Sequence, residues 1–224
     1  MHIPDGLFAD GALHAVTGAV SAAACGLALW RAKKGLQDRH APLLGVSAAF
    51  VFAAQMLNFP VAAGVSGHLL GAVLTAIILG PAGAMLVMAV VLGIQCLLFA
   101  DGGLTALGSN IFNMGVVGTV GGYMVFRAVQ VVLPRARWSF LAATAVAAWF
   151  SVVASASACA VELAVSGTIP LRVGLPAMAG VHALIGVGEA VVTTAALSLV
   201  LTGRPDIVAG WQGSCPVVKG APAA

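Results

Sequence analysis

Charge is what this sequence has least of. Asp, Glu, Lys and Arg make up 8% of its 224 residues, where a soluble domain carries about 25%. A net charge of +3 gives no basic surface for nucleic acid, whose binding rests on many phosphate contacts. Enzyme signatures are missing too. There is no G-x-x-x-x-G-K-[ST] phosphate loop, so the chain does not hydrolyse ATP through that motif. Neither H-E-x-x-H nor G-x-S-x-G occurs, which removes the familiar hydrolase signatures. Cys25, Cys96, Cys159 and Cys215 form no C-x-x-C or Cys–His cluster. They read as small apolar packing residues, with Cys215 a free thiol in the tail. The start lacks the basic region of a secretory signal and has Asp5 and Asp10 in its place, so it reads as a mature N-terminus. His2 is bulky, which predicts that Met1 is retained.

Apolar residues are abundant instead. They reach 61%, with 28 glycines and a mean hydropathy of +1.07. A helix crosses the lipid bilayer in about 20 apolar residues, and glycine permits close helix packing in lipid. The chain reads as an all-α membrane protein of about seven helices, at 11–31, 42–58, 67–80, 82–100, 108–127, 138–164 and 178–202. Residues 1–202 form one transmembrane domain and 203–224 a flexible cytoplasmic tail. The third span is short, bounded by Gly67-His68 and Gly80-Pro81. Arg31, Lys33, Lys34, Arg39, Arg127, Arg135, Arg137, Arg204 and Lys219 all fall on one side of this arrangement, and only Arg172 on the other. Basic residues mark the cytoplasmic side, so the N-terminus is expected outside. Small residues recur every four positions at Ala15, Ala19 and Ala23, and at Gly45, Ala49 and Ala53. Such faces admit another helix, read first as an internal one.

On the outer side lies Met1-His2. An α-amine followed by His chelates a metal through the amine, the deprotonated His2 amide and the imidazole, closing a five- and a six-membered ring. An all-nitrogen tetragonal field suits Cu(II) or Ni(II). Three nitrogens leave one corner of a square open, and His68 falls on the side needed to fill it. Taken alone, His68 reads as a residue satisfying a helix start. Asp101, in a Gly-rich outer loop, would draw cations in. Asn110 and Asn113 share a helix face. They would either orient the ligand imidazoles or act as interhelical polar contacts. His182 and Glu189, seven apart on the last span, read as a contact between helices, with an ion or proton relay as the alternative. His14 and His40 read as surface residues.

Five segments together resemble one family: MHIPDG at 1–6, NFPVAAGVSGHLLGA at 58–72, LGPAGA at 79–84, QCLLFADGGLTALGSNIFNMG at 95–115 and HALIGVGEA at 182–190. The chain resembles the substrate-binding subunit of nickel and cobalt energy-coupling-factor transporters, the CbiM/NikM family. The resemblance implies a six-helix substrate-binding core with one extra N-terminal helix. It implies a metal held by the Met1 amine, the His2 amide and imidazole, and His68, with the ion as transported substrate. It also implies a transmembrane coupling subunit, cytoplasmic ATPases and a small accessory membrane subunit as partners, in a bacterial inner membrane. MHIPDG looks more like the nickel members than the cobalt ones, which favours Ni(II) over Co(II). Val65-Ser66 departs from the small polar pair, such as Gly-Thr, expected before the SGH histidine, and makes Ser66 a residue bordering the metal. A stand-alone channel or secondary carrier would need a charged path, for which only His182 and Glu189 are deep candidates. A membrane enzyme would need an open metal position beside a general base, which a filled square of nitrogens does not leave.

Overall fold

The computed structural model describes residues 1–8, 11–35, 40–62 and 65–211. Asp10, Arg39, Gly64, Cys215 and Lys219 lie outside the described residues, as does most of the expected tail. The helices are α1 (Gly11–Gly35), α2 (Ala41–Gln55), α3 (Ala72–Phe99), α4 (Leu107–Val132), α5 (Arg137–Val165) and α6 (Leu171–Gly203). Five of them are long and apolar enough to cross a membrane. Only α2, at 15 residues, is shorter than the bilayer core requires. An antiparallel ribbon of β1 (Phe59–Ala62) and β2 (Val65–Gly67) precedes α3.

The expected third and fourth spans are the two arms of α3, joined without a loop. Gly80 breaks the helix with φ 74° and ψ 164°, a conformation essentially confined to glycine. Pro81 follows, lacking the N–H that would continue the helical ladder. The expected start at 67 is displaced. Residues 65–67 are strand and 68–71 irregular, and Gly71 at φ 70° opens the helix. The first arm therefore has only eight residues before the break, about 12 Å of rise.

Helix α4 is wider than an ordinary α-helix over Phe112–Gly121, where the main chain bonds i to i+5. Such π segments are rare and cluster near functional sites. Two apolar cores hold the bundle. One surrounds Met1, Ile3, Leu70, Met88 and Met114. The other surrounds Ile77, Phe126, Phe140 and Leu201. Helix α1 packs closely on α4. Thr17 and Ser109 share a hydroxyl hydrogen bond of 2.7 Å, and the Ser21 hydroxyl donates to Gly108 O at 2.7 Å.

Two expectations are corrected here. Ala15, Ala19, Ala23, Gly45, Ala49 and Ala53 are all exposed, so these small-residue faces are not internal contacts. The packing face of α1 is the one carrying Thr17, Ser21, Ala28 and Ala32. Residues 205–211, expected in the tail, pack on the bundle. Residues 205–207 form a 3₁₀ turn, Ala209 and Gly210 donate to Ile78 O and Ile77 O, and Trp211 packs edge-on against Phe140.

Candidate metal centre

The chain start is folded into the protein. Met1 and Ile3 are wholly buried and His2 is 3% exposed. Three segments hold it there: the start of α4, the loop before it, and β2. Asn110, at the start of α4, reads both sides of Ile3: Ile3 N donates to Asn110 Oδ1 at 2.8 Å and Asn110 Nδ2 donates to Ile3 O at 3.2 Å. Gly103 N donates to the same carbonyl at 2.8 Å. The Asp5 carboxylate accepts from Leu104 N at 3.1 Å, and from Thr105 N and Oγ1 at 2.8 and 2.6 Å. A Cβ on Gly103 would lie 2.7 Å from the Pro4 carbonyl carbon, so glycine is required for this approach. The Met1 amine donates to Ser66 O on β2.

His68 follows β2 and is fully buried. Its ring stacks on His2 with centroids 4.6 Å apart and planes 22° apart. His68 Nδ1 lies 2.8 Å from Leu69 O. A carbonyl only accepts, so Nδ1 carries the proton and Nε2 keeps a free lone pair. That Nε2 is buried and has no hydrogen-bond partner among the described residues, as is His2 Nε2. His2 Nδ1 sits 3.0 Å from Asp101 Oδ1, close to the carboxylate without an aligned hydrogen bond. Asn58 Nδ2 donates to the other Asp101 oxygen at 2.9 Å.

Burial sets the proton affinities. It pulls the Met1 amine down to about 5 from its ordinary 8.0. It lowers His2, opposed by the Asp101 contact, and lowers His68 further, helped by the adjacent amine and His2. For Asp101, burial pushes upward, but the His2 and Asn58 contacts prevail and hold it below the usual carboxylate value. At neutral pH the amine and both imidazoles are therefore uncharged, with lone pairs not taken up by protons, beside one carboxylate.

The structure thus brings together Met1, His2, His68, Ser66 and Asp101. Asn110 is adjacent but grips the Ile3 main chain, not an imidazole. Asn113 is turned away: its Nδ2 donates to Glu162 Oε2 on α5 at 2.8 Å. The reading of both Asn side chains as imidazole partners is corrected on that geometry.

His182 and Glu189 face the same loop from α6. Glu189 accepts from Leu70 N at 2.8 Å and Gly71 N at 2.7 Å. His182 Nδ1 donates to Met178 O at 2.7 Å, and its Nε2 lies 3.4 Å from where a Cβ on Gly67 would stand. In place of the expected contact between helices, Glu189 grips the segment carrying His68, while His182 bonds within its own helix and lies near Gly67. Gln95 is a residue that sequence reading passed over. It is fully buried, approaches His2, and has no hydrogen-bond partner on either amide atom among the described residues. Its signal was available, as a polar side chain within an apolar run. Glu162, an acid inside a spanning helix, carried the same signal.

Among the described residues, no group of three His, Cys, Asp or Glu side chains is spaced to hold a metal. A centre built here draws half its donors from the main chain. A buried pair of uncharged imidazoles beside an uncharged amine lies in a bundle with five helices long and apolar enough to cross a membrane, the architecture of a multi-pass membrane protein. The profile of one family, described as the cobalt uptake substrate-specific transmembrane region CbiM, matches residues 2–207, and the chain belongs to that family of nickel and cobalt transport proteins. It is 40% identical over 210 residues to a putative fused nickel transport protein of Archaeoglobus fulgidus, covering 93% of this chain and 68% of that one. A cobalt transport protein of Sorangium cellulosum is 34% identical over 188 residues, covering 83% of this chain and 82% of its own. A crystal structure of a truncated transition metal transporter superposes with a TM-score of 0.82 at 31% identity, over 90% of this chain and 99% of that one.

Proposed function

We propose that this chain is the substrate-specific membrane subunit of an ATP-driven energy-coupling-factor transporter, and that it binds Ni(II) through four nitrogens. The ligands are the Met1 amine, the deprotonated His2 amide, His2 Nδ1 and His68 Nε2. The observation that carries this is the buried stack of His2 on His68 beside the Met1 amine, with His68 Nε2 unpartnered and its lone pair free. The six-membered chelate ring uses His2 Nδ1, the atom now against Asp101 Oδ1. Loading therefore passes Nδ1 from the carboxylate to the ion. Ni(II) with one amide anion leaves a single positive charge, which the adjacent Asp101 carboxylate balances. Low-spin d8 Ni(II) favours such a planar nitrogen field, which supports nickel over cobalt. Co(II) is the second reading, supported by the cobalt uptake description of the family.

The basic residues at the helix ends remote from Met1 support an orientation with the metal centre outside the inner membrane. The exposed small-residue faces of α1 and α2 support docking of a transmembrane coupling subunit that carries the ATPase power stroke. The Archaeoglobus relative is named as a fused protein and extends beyond the matched region, which supports assembly with further polypeptide, including an accessory membrane segment. Calorimetry on His2→Ala and His68→Ala tests the site. Each variant is expected to lose tight Ni(II) binding while keeping its helical circular dichroism. Native affinity in either would refute the ligand set.

A further inference from the structure

At the helix ends remote from Met1, Arg127, Gln130, Arg135, Ser139, Phe140 and Trp211 help enclose a cleft of about 320 Å³. Its size is at the lower end for small-molecule pockets. The aromatic floor is rigid: Phe140 meets Phe126 and Trp211 edge-on at 5.2 and 5.0 Å. The rim is built for lipid, with Val131 84% and Val132 83% exposed, and Trp138 61% exposed.

Helix α5, 29 residues long, starts in this cleft. Its N-cap, Ala136, offers no side-chain cap. Phe140 N is the first amide to bond back, to Ala136 O at 3.1 Å. The amides of Arg137, Trp138 and Ser139 have no hydrogen-bond acceptor among the described residues. A helix start with free N–H groups favours an anion. A second observation concerns a side chain rather than the helix backbone. Ser139 lines the cleft, is 3% exposed, and its hydroxyl has no partner among the described residues. Arg127 and Arg135 line the same cleft, and among the described residues neither has a carboxylate within ion-pair distance. Arg137 is engaged elsewhere, donating to Ser198 and Thr202 on α6.

We infer that this cleft binds the phosphate of an anionic phospholipid headgroup at the membrane boundary. The free α5 amides and the Ser139 hydroxyl receive the phosphate oxygens, Arg127 and Arg135 neutralise the charge, and the acyl chains run along Val131 and Val132. Basic pockets between spanning helices are a recurrent lipid-headgroup architecture. The assignment does not depend on the metal centre.

Native mass spectrometry tests it on the full chain, released from mixed phosphatidylglycerol and phosphatidylcholine vesicles. Phosphatidylglycerol is expected to be retained in preference, and Arg127→Gln with Arg135→Gln to lower its retention by about 30-fold, as the loss of two basic groups near a membrane surface implies. Arg31→Gln with Arg172→Gln is expected to leave retention unchanged. Ser139→Ala reads the same site with a smaller loss should the double variant not fold. Inorganic phosphate, added without lipid, separates the two sources of the anion. Equal retention of both lipids, unchanged retention in the Arg127 and Arg135 variants, or tight binding of phosphate with no retained lipid would each overturn the assignment.

Discussion

At the residue scale, the account rests on three nitrogens that burial holds uncharged and a fourth, the His2 amide, that still carries its proton. The amine, held down to about 5, and two imidazoles lowered by the same burial need release no proton at neutral pH. Only the His2 amide must lose one when metal binds. Linkage then fixes the sign and the slope: affinity falls as pH falls, by about one log unit per pH unit between pH 7 and 8. Below about 5 the amine begins to protonate and the slope steepens. An amine at its ordinary 8.0 would instead give close to two log units per pH unit across the same range. Calorimetric Ni(II) titrations at three pH values distinguish the cases. Asp101→Asn keeps the shape but removes the balancing charge, and is expected to weaken binding about 10- to 100-fold, as for other outer partners of metal ligands. Unchanged affinity would show that Asp101 has no part in loading.

At the element scale, the segment from β2 to α3 is what presents His68, and α6 holds it. Replacing Glu189 by Gln leaves one of the Leu70 and Gly71 amides without an acceptor. A buried donor left unpaired costs about 1–3 kcal/mol, so the variant is expected to melt earlier and to bind Ni(II) more weakly through a displaced His68. An unshifted melting temperature with native affinity would dissociate α6 from the site. Gly80→Ala forces a side chain into a glycine conformation and is expected to cost about 1–3 kcal/mol, read as a lower melting temperature. Much of this was legible in the sequence. Gly80-Pro81 announces a break, and the expected meeting of His2 with His68 is seen in their stacked rings. Other features were not legible. That Asn110 grips Ile3, rather than an imidazole, depends on how closely α4 approaches the chain start. That approach is set by Gly103 and the 100–106 loop, not by any spacing along one helix. The helical strength of 68–71 was overestimated because apolar content alone does not distinguish an irregular buried turn held by Glu189 from a helix.

At the scale of the whole molecule, the helices form a scaffold with a polar centre at one end and basic residues at the other. The exposed faces at Ala15, Ala19 and Ala23 and at Gly45, Ala49 and Ala53 were read from sequence as internal. The same small-residue spacing serves an internal or an external helix, and only the packing of Thr17 and Ser21 on α4 decides between them. Ala19→Trp is expected to leave Ni(II) affinity of the isolated chain unchanged while abolishing uptake in cells that carry the full transporter. Loss of binding in that variant would mean that the face serves the fold and not assembly.

The chelate at Met1 and His2 is the central claim, and acetylating the Met1 amine tests it most directly. Acetylation leaves His2 and His68 in place but removes the amine donor and with it the five-membered ring. Protein with its free amine is expected to bind Ni(II) tightly and turn yellow with a planar d–d absorption band, and the acetylated protein to lose both. Binding and spectrum that survive acetylation would contradict the account.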